Sequence, residues 1–331
     1  MVKSGGAGAF LHRKGVRRFR NPDRRFAAKR SLREKLSGTL AFIRYKVMKK
    51  ERTARSLSDV FKEHVASEQL KLPVFPKVAL ELQEMLADDD IPIDRIAGVL
   101  SKDQALASEV LRQANSAYYS GMRSVQTIQD AIMRLGSSQV FNHLVCSGQR
   151  QYYKSQNNTI NAYYQVLWKH AFATANGSKW LLERTGRRNL ANEGFLAGLM
   201  HDIGKLLLLK VLDSMVAEDG DIQLTDEFVA KLLRSKHVEQ GYTLMNQWSI
   251  PPIYSDVVRD HHREDYNPAD ALLMAVRIVN QITRKLGMST NPDAEINPAS
   301  LPEVGALALD DSLLADLETI LLDAAKNDSQ A

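Results

Sequence analysis

The feature that most constrains this chain is a period. From residue 72 onward apolar residues recur at intervals of three and four. No window shows the two-residue alternation of a half-buried strand. The periodic stretches are short and their ends are marked. Leu72-Pro73-Val74-Phe75-Pro76 reads as extended, because each proline disfavours helix for the residue before it. Pro76 can then open a helix. KVALELQEMLADDD places Val78, Leu82 and Met85/Leu86 on one face. IDRIAGVLSKD and QALASEVLRQANSA follow, with Asp103 as N-cap of the second. Thr127 and Asp130 form a capping box, with Asp in place of Glu, ahead of IQDAIMRL, which Gly136 stops. Ser138 is expected to cap QVFNHLVCSGQRQYY. The pattern predicts an all-α fold in two helical subdomains that meet near residues 145–165. Short helices at right angles also fit a helix-turn-helix, but few basic residues share any one helix, which argues against sequence-specific DNA as a partner.

Composition excludes several classes. At 331 residues, 44% hydrophobic and 25% charged, the chain is no disordered polymer, fibre or stalk. It has no run of 18 apolar residues and no apolar stretch after its basic start, so neither a spanning helix nor a secretory signal is expected. The single cysteine, Cys146, reads as a small buried hydrophobe, and the chain as cytoplasmic.

Charge is divided unevenly. Residues 1–55 hold 18 Lys+Arg against 3 Asp+Glu, or +15, which leaves −10 for the remainder of a chain whose total is +5. Residues 1–30 are Gly- and Arg-rich and expected to be disordered. Leu32, Leu36, Leu40, Ile43 and Val47 then form the apolar face of a basic helix interrupted by Gly38. Such a segment suits an anionic membrane surface, at the inner face of the membrane, or RNA. Docking on the acidic body of the same chain is the competing expectation.

Five of eight histidines fall between residues 170 and 262. His170 lies in the stripe Val166, His170, Ala173, Gly177, Leu181. The pair His201-Asp202 sits near the buried side set by Phe195, Leu199 and Leu206. His237 begins the stripe continued by Gly241, Leu244 and Trp248. His261 ends the stripe from Ile253 and Val257, with His262 adjacent. Four helices thus point imidazoles inward, and a shared metal would satisfy all of them together with the carboxylate. Imidazole and carboxylate suit Zn, Fe, Mn or Ni. Near a helix end the adjacent pair can reach one or two ions, and two ions would activate water for attack on a phosphoryl group. Lys205, one turn on, would hold phosphate as a point charge or else be a solvated helix residue. His12, His64 and His143 read as surface or local.

These residues resemble a family. The 72–76 segment, SKDQALASEVLRQANSAYY at 101–119, TIQDAIMRLGSSQVFNHL at 127–144 and LWKH at 167–170 are similar to the HDOD domain. So are FLAGLMHDIGK at 195–205, HVEQGYTLMNQWSIP at 237–251 and the pair His261-His262. The resemblance covers about residues 66–287. It implies an all-α fold whose second part is an HD-like helical bundle, related to the HD and HD-GYP phosphohydrolases. It implies a bacterial signalling role, with a signalling protein as partner. The catalytic relatives' metal set maps onto His170, His201, Asp202, His237, His261 and His262, for a divalent ion such as Fe, Mn, Zn, Ni or Mg. Their closing aspartate maps onto Asn280, which the stripe Leu273, Val276, Asn280, Thr283 also turns inward. No Gly-Tyr-Pro follows the His-His pair.

The expected organisation is a basic extension over 1–65, an HDOD domain over 66–287 divided at 150/151, and a turn-rich segment with an acidic helix over 288–331. That helix is expected to pack on the HD-like part. The expected function is a stand-alone, non-catalytic regulatory module. The alternative is a metal-dependent phosphohydrolase, with Asp202 and Lys205 as catalytic residues.

Overall fold

The computed structural model describes residues 77–86, 91–116 and 123–327, and helix is the only regular structure among them. The first five helices are α1 (Lys77–Leu86), α2 (Ile93–Leu100), α3 (Gln104–Ala114), α4 (Ile128–Leu135) and α5 (Ser137–Arg150). After a short irregular stretch come α6 (Asn158–Arg184), α7 (Ala191–Met200), α8 (Ile203–Glu218), α9 (Asp226–Gln247), α10 (Pro252–Asp260) and α11 (Ala271–Lys285). Two more, α12 (Pro302–Leu307) and α13 (Asp311–Asn327), close the chain.

The described helices fall into two groups by their packing. In the first, α1 packs on α2 and α5, α2 on α4, and α3 on α4 and α5. Leu82, Ile96, Leu100, Ile132 and Phe141 are its fully buried centre. In the second, the 27-residue α6 is the axis, about 40 Å long at 1.5 Å per residue. Against it pack α7, α8, α11 and α13, while α9 covers α8 and α10 bridges α9 to α7. Helix α13 therefore docks on the second group, its buried Leu314, Leu317 and Leu321 forming the contact stripe.

Local chemistry sets the ends. Asp103 accepts from the N–H groups of Ala105 and Leu106, and Thr127 from that of Asp130. Asn157, Thr225 and Asp270 cap α6, α9 and α11 in the same way. Gly136, at φ +83°, stops α4. Two glycines set how closely the second group packs. A Cβ at Gly198 would lie 2.7 Å from the Thr174 carbonyl oxygen of α6. One at Gly204 would collide with the His237 carbonyl of α9 and lie 2.7 Å from the Gly241 nitrogen. Helices α6–α7 and α8–α9 thus meet nearly backbone to backbone.

Four local expectations are corrected. Ser138 does not cap α5, which begins one residue earlier after Gly136. Its hydroxyl instead donates to Asn192 Oδ1 at 2.5 Å and accepts from Lys179 Nζ at 2.6 Å, tying the two groups together. Val166 and Ile253 are 37% and 44% exposed, not inward. Adjacent residues diverge by about 100° on a helix, and the inward stripes run through Tyr164, Leu167 and His170, and through Tyr254, Val257 and His261. His143 is not at the surface: it is buried, its Nε2 2.7 Å from Glu109 Oε1. Cys146 is buried as a small hydrophobe, and burial raises its thiol pKa. No helix among the described residues is long and apolar enough to cross a membrane. Pro76, His12, His64 and the basic stripe Leu32–Val47 lie outside the described residues.

Candidate metal centre

The inward histidines converge. His170 comes from the middle of α6, His237 from α9 and His261 from the C-terminal end of α10. His201 and Asp202 occupy the break between α7 and α8. The helical run is interrupted at Asp202, with φ −104° and ψ 18°, and this break aims two neighbouring side chains inward. His170, His201, Asp202, His237 and His261 are all at most 3% exposed.

The two carboxylate oxygens of Asp202 face different partners. Oδ2 lies 3.2 Å from His170 Nε2 and 3.4 Å from His201 Nε2. Oδ1 lies 3.4 Å from His237 Nε2 and 3.6 Å from His261 Nε2. His262 joins the Oδ1 side from an exposed position, its ring centroid 5.2 Å from that of His237. Lys205 is neither solvated nor free. It is buried, and its ammonium donates to Oδ2 at 2.6 Å. Asn280 is buried as expected.

Backbone carbonyls fix the imidazole tautomers. The Nδ1 atoms of His170, His201, His237 and His261 lie 2.9, 2.7, 2.7 and 2.9 Å from the carbonyl oxygens of Met288, Gly198, Leu233 and Val258. Each Nδ1 therefore carries the proton and donates, leaving an Nε2 lone pair directed at the cluster. Burial lowers the pKa of His201 and His261 and pushes His237 down to about 3, so these rings are neutral at pH 7. Burial opposes ionisation of Asp202, yet the Lys205 ammonium beside it holds its carboxyl below the usual range. The interior thus collects acceptors: His170 Nε2 is 3.1 Å from His201 Nε2, and Asp202 Oδ1 has no hydrogen-bond donor. Facing lone pairs around an orphaned carboxylate oxygen call for a cation. The donor set fits a divalent ion of the Fe, Mn, Zn or Ni kind, held by Asp202 Oδ1 with His237, His261 and His262, or by Oδ2 with His170 and His201. An ion there would supply Lewis acidity and a more acidic bound water.

A model of the HDOD domain family matches residues 72–264, more than half of the chain. The chain belongs to the HDOD domain family. It is 25% identical over 229 residues to an uncharacterised protein of Treponema pallidum (strain Nichols), a match covering 66% of this chain but only 43% of that protein. An HDOD domain protein of unknown function from Geobacter sulfurreducens shares the fold, with TM-score 0.64, 22% identity, and 82% and 96% of the two chains covered. A candidate signal transduction protein from Marinobacter aquaeolei VT8 gives TM-score 0.61 at 20% identity, covering 82% and 62%. A candidate metal-dependent phosphohydrolase from Shewanella amazonensis SB2B gives 0.52 at 21%, covering 81% and 96%. At these identities the structural matches establish the fold.

One residue that builds this HDOD centre escapes a stripe-by-stripe reading. Arg277 of α11 donates from NH1 to the carbonyls of Asp260, His261 and Arg263 at 3.2, 3.2 and 2.9 Å, and from Nε to Glu303 Oε1 at 2.6 Å. It clamps the end of α10 that carries His261, and Glu303 is 2% exposed. Its only signal in the sequence is its place three residues before Asn280. A cavity of about 320 Å³ opens beside the cluster, with Lys205, Arg234, His237, His262, Asn280 and Arg284 in its wall.

Proposed function

We propose that this HDOD protein is a regulatory module whose His/Asp cluster holds one divalent ion as a structural or sensory centre, without turning over a phosphate ester. The observation that carries the reading is the buried pair Lys205–Asp202 at 2.6 Å. Asp202 is the cluster's only carboxylate, and an ammonium already neutralises Oδ2. A second cation on that side would face Lys205 directly. Asn280 withholds the further negative charge that a two-ion set needs to offset its own repulsion. One ion on the Oδ1 side satisfies the orphaned oxygen and leaves the Lys205 pair intact. Its contribution would then be cohesion: the α7–α8 break, α9 and the end of α10 bound through one centre, with binding energy added to folding energy.

The test is a phosphatase and phosphodiesterase panel on the full chain with Mn, Fe or Ni, run beside Asp202→Ala. The regulatory reading predicts no turnover above that of the variant. Turnover abolished by Asp202→Ala would establish the phosphohydrolase reading, which the convergence of six ligand-type residues supports.

Segment 1–55 supplies the second half of the proposal: its +15 charge directs the module to an anionic lipid surface or RNA, while the helical body meets a signalling partner. Cosedimentation with anionic vesicles at low and high salt should show salt-sensitive binding that a chain lacking residues 1–55 loses. Equal, negligible binding by both would remove the lipid role.

A further inference from the structure

A second concave site lies where the two helical groups join, along the α6 segment that leads to His170. Its volume is about 680 Å³, within the range of small-molecule sites. Arg150 at the end of α5, Lys154 in the stretch that follows, and Asn161, Gln165, Trp168 and Lys169 of α6 line it, beside Tyr153 and Val166. Every charged side chain in this lining among the described residues is a cation.

The aromatic wall is already filled. The Arg150 guanidinium sits 5.5 Å from the Trp168 ring centroid, and Phe172 stacks on that ring at 5.9 Å and 23°. Tyr153 packs edge-on at 5.2 Å. A planar ligand has no free indole face to stack on. What Trp168 leaves unused is its Nε1–H: the residue is 3% exposed, and that donor has no acceptor among the described residues. Buried N–H groups without acceptors are rare and costly. A groove with cations, amides and a spare N–H, and no carboxylate among its described lining residues, matches oxygen-rich anions.

We propose that this groove binds a soluble phosphorylated small molecule of nucleotide size or less. Lys154 and Lys169 balance its charge, the Trp168 Nε1–H donates to an anionic oxygen, and Asn161 and Gln165 bond its neutral polar groups. Lys169 and His170 are consecutive, so one turn of α6 presents both the groove and the cluster. The proposal does not depend on whether the cluster holds metal.

The test is calorimetric and fluorescence titration of the full chain with sodium pyrophosphate and with ATP at near-physiological salt. The basic 1–55 segment is common to every variant, so differences among variants report the folded body. One saturable equivalent is expected for at least one probe. Lys154→Gln with Lys169→Gln should weaken it about tenfold, as loss of charge-assisted bonds does. Trp168→Phe, which keeps the ring and removes the donor, should weaken it several-fold, and Arg234→Gln at the cavity beside the cluster should leave it unchanged. Equal binding by all variants, loss only in Arg234→Gln, or no saturable binding of either probe at millimolar concentration would overturn the proposal. Binding of anionic vesicles alone, with the same variant dependence, would reassign the groove to a lipid headgroup.

Discussion

The two helical groups bury different kinds of residue. The first closes mainly over Leu, Ile, Val and Phe, with Gln83, Asn142, His143 and Gln149 as its buried polar residues, and His143 bonds outward to the partly exposed Glu109. The second buries four imidazoles, a carboxylate, an ammonium and an amide at one place, and holds them with backbone carbonyls and Arg277. Apolar burial stabilises at about 25 cal/mol per Å² wherever it occurs, while buried polar groups cost unless each is matched. The first group is thus a frame whose parts are interchangeable in kind. The second is organised around a centre whose parts are not.

That contrast can be broken most forcefully at Arg277. Arg277→Ala would leave Glu303 buried without its partner and release the end of α10. Urea denaturation should show a loss of about 3–5 kcal/mol, the usual cost of orphaning a buried charge. A loss comparable to a surface substitution would mean that the clamp is dispensable. Gly204→Ala comes next: its Cβ collides with the His237 carbonyl, so α8 and α9 must separate, costing about 1–3 kcal/mol. Gly98→Ala in the first group meets nothing within 4 Å and serves as its control.

Acid sharpens the comparison by a smaller amount. Burial lowers the pKa of His143 and of His201, His237, His261 and His262, so the unfolded chain binds protons near pH 6.5 before the folded chain does. Stability of the metal-free protein should be complete above about pH 6.5 and fall as pH drops toward the lowered values. Most of that loss belongs to the second group. Melting temperatures between pH 8 and 5 should change with nearly the same slope in His143→Gln as in the parent, and a flattened slope would move the titration into the frame. The smallest effect is expected at Ile253→Ser, within about 0.5 kcal/mol, because that side chain is already exposed.

How far the sequence reveals this depends on the range of the interaction. Helix ends at Asp103, Thr127 and Gly136 are legible because capping needs only residues a few positions apart. The five inward ligand residues are legible because a polar residue on an apolar stripe is anomalous under a local rule. Val166 and Ile253 mislead because a stripe has edges, and one position turns the side chain by about 100°. Ser138, His143 and Arg277 take their roles from partners or carbonyls that the fold sets beside them, whereas Lys205 pairs with Asp202 only three positions away. For Ser138 that partner is Asn192, 54 positions away, and for His143 it is Glu109, 34 positions away. No periodicity in one helix carries that information.

The claim that the second group is built around a single ion is tested most directly by metal stoichiometry. The 331-residue chain, reconstituted with Mn, Fe or Zn and freed of loosely held metal, would be assayed by elemental analysis beside Asp202→Ala. One equivalent per chain, lost in Asp202→Ala and accompanied by a higher melting temperature in the parent alone, is the predicted result. Two equivalents in the parent, or one retained by Asp202→Ala, would contradict it.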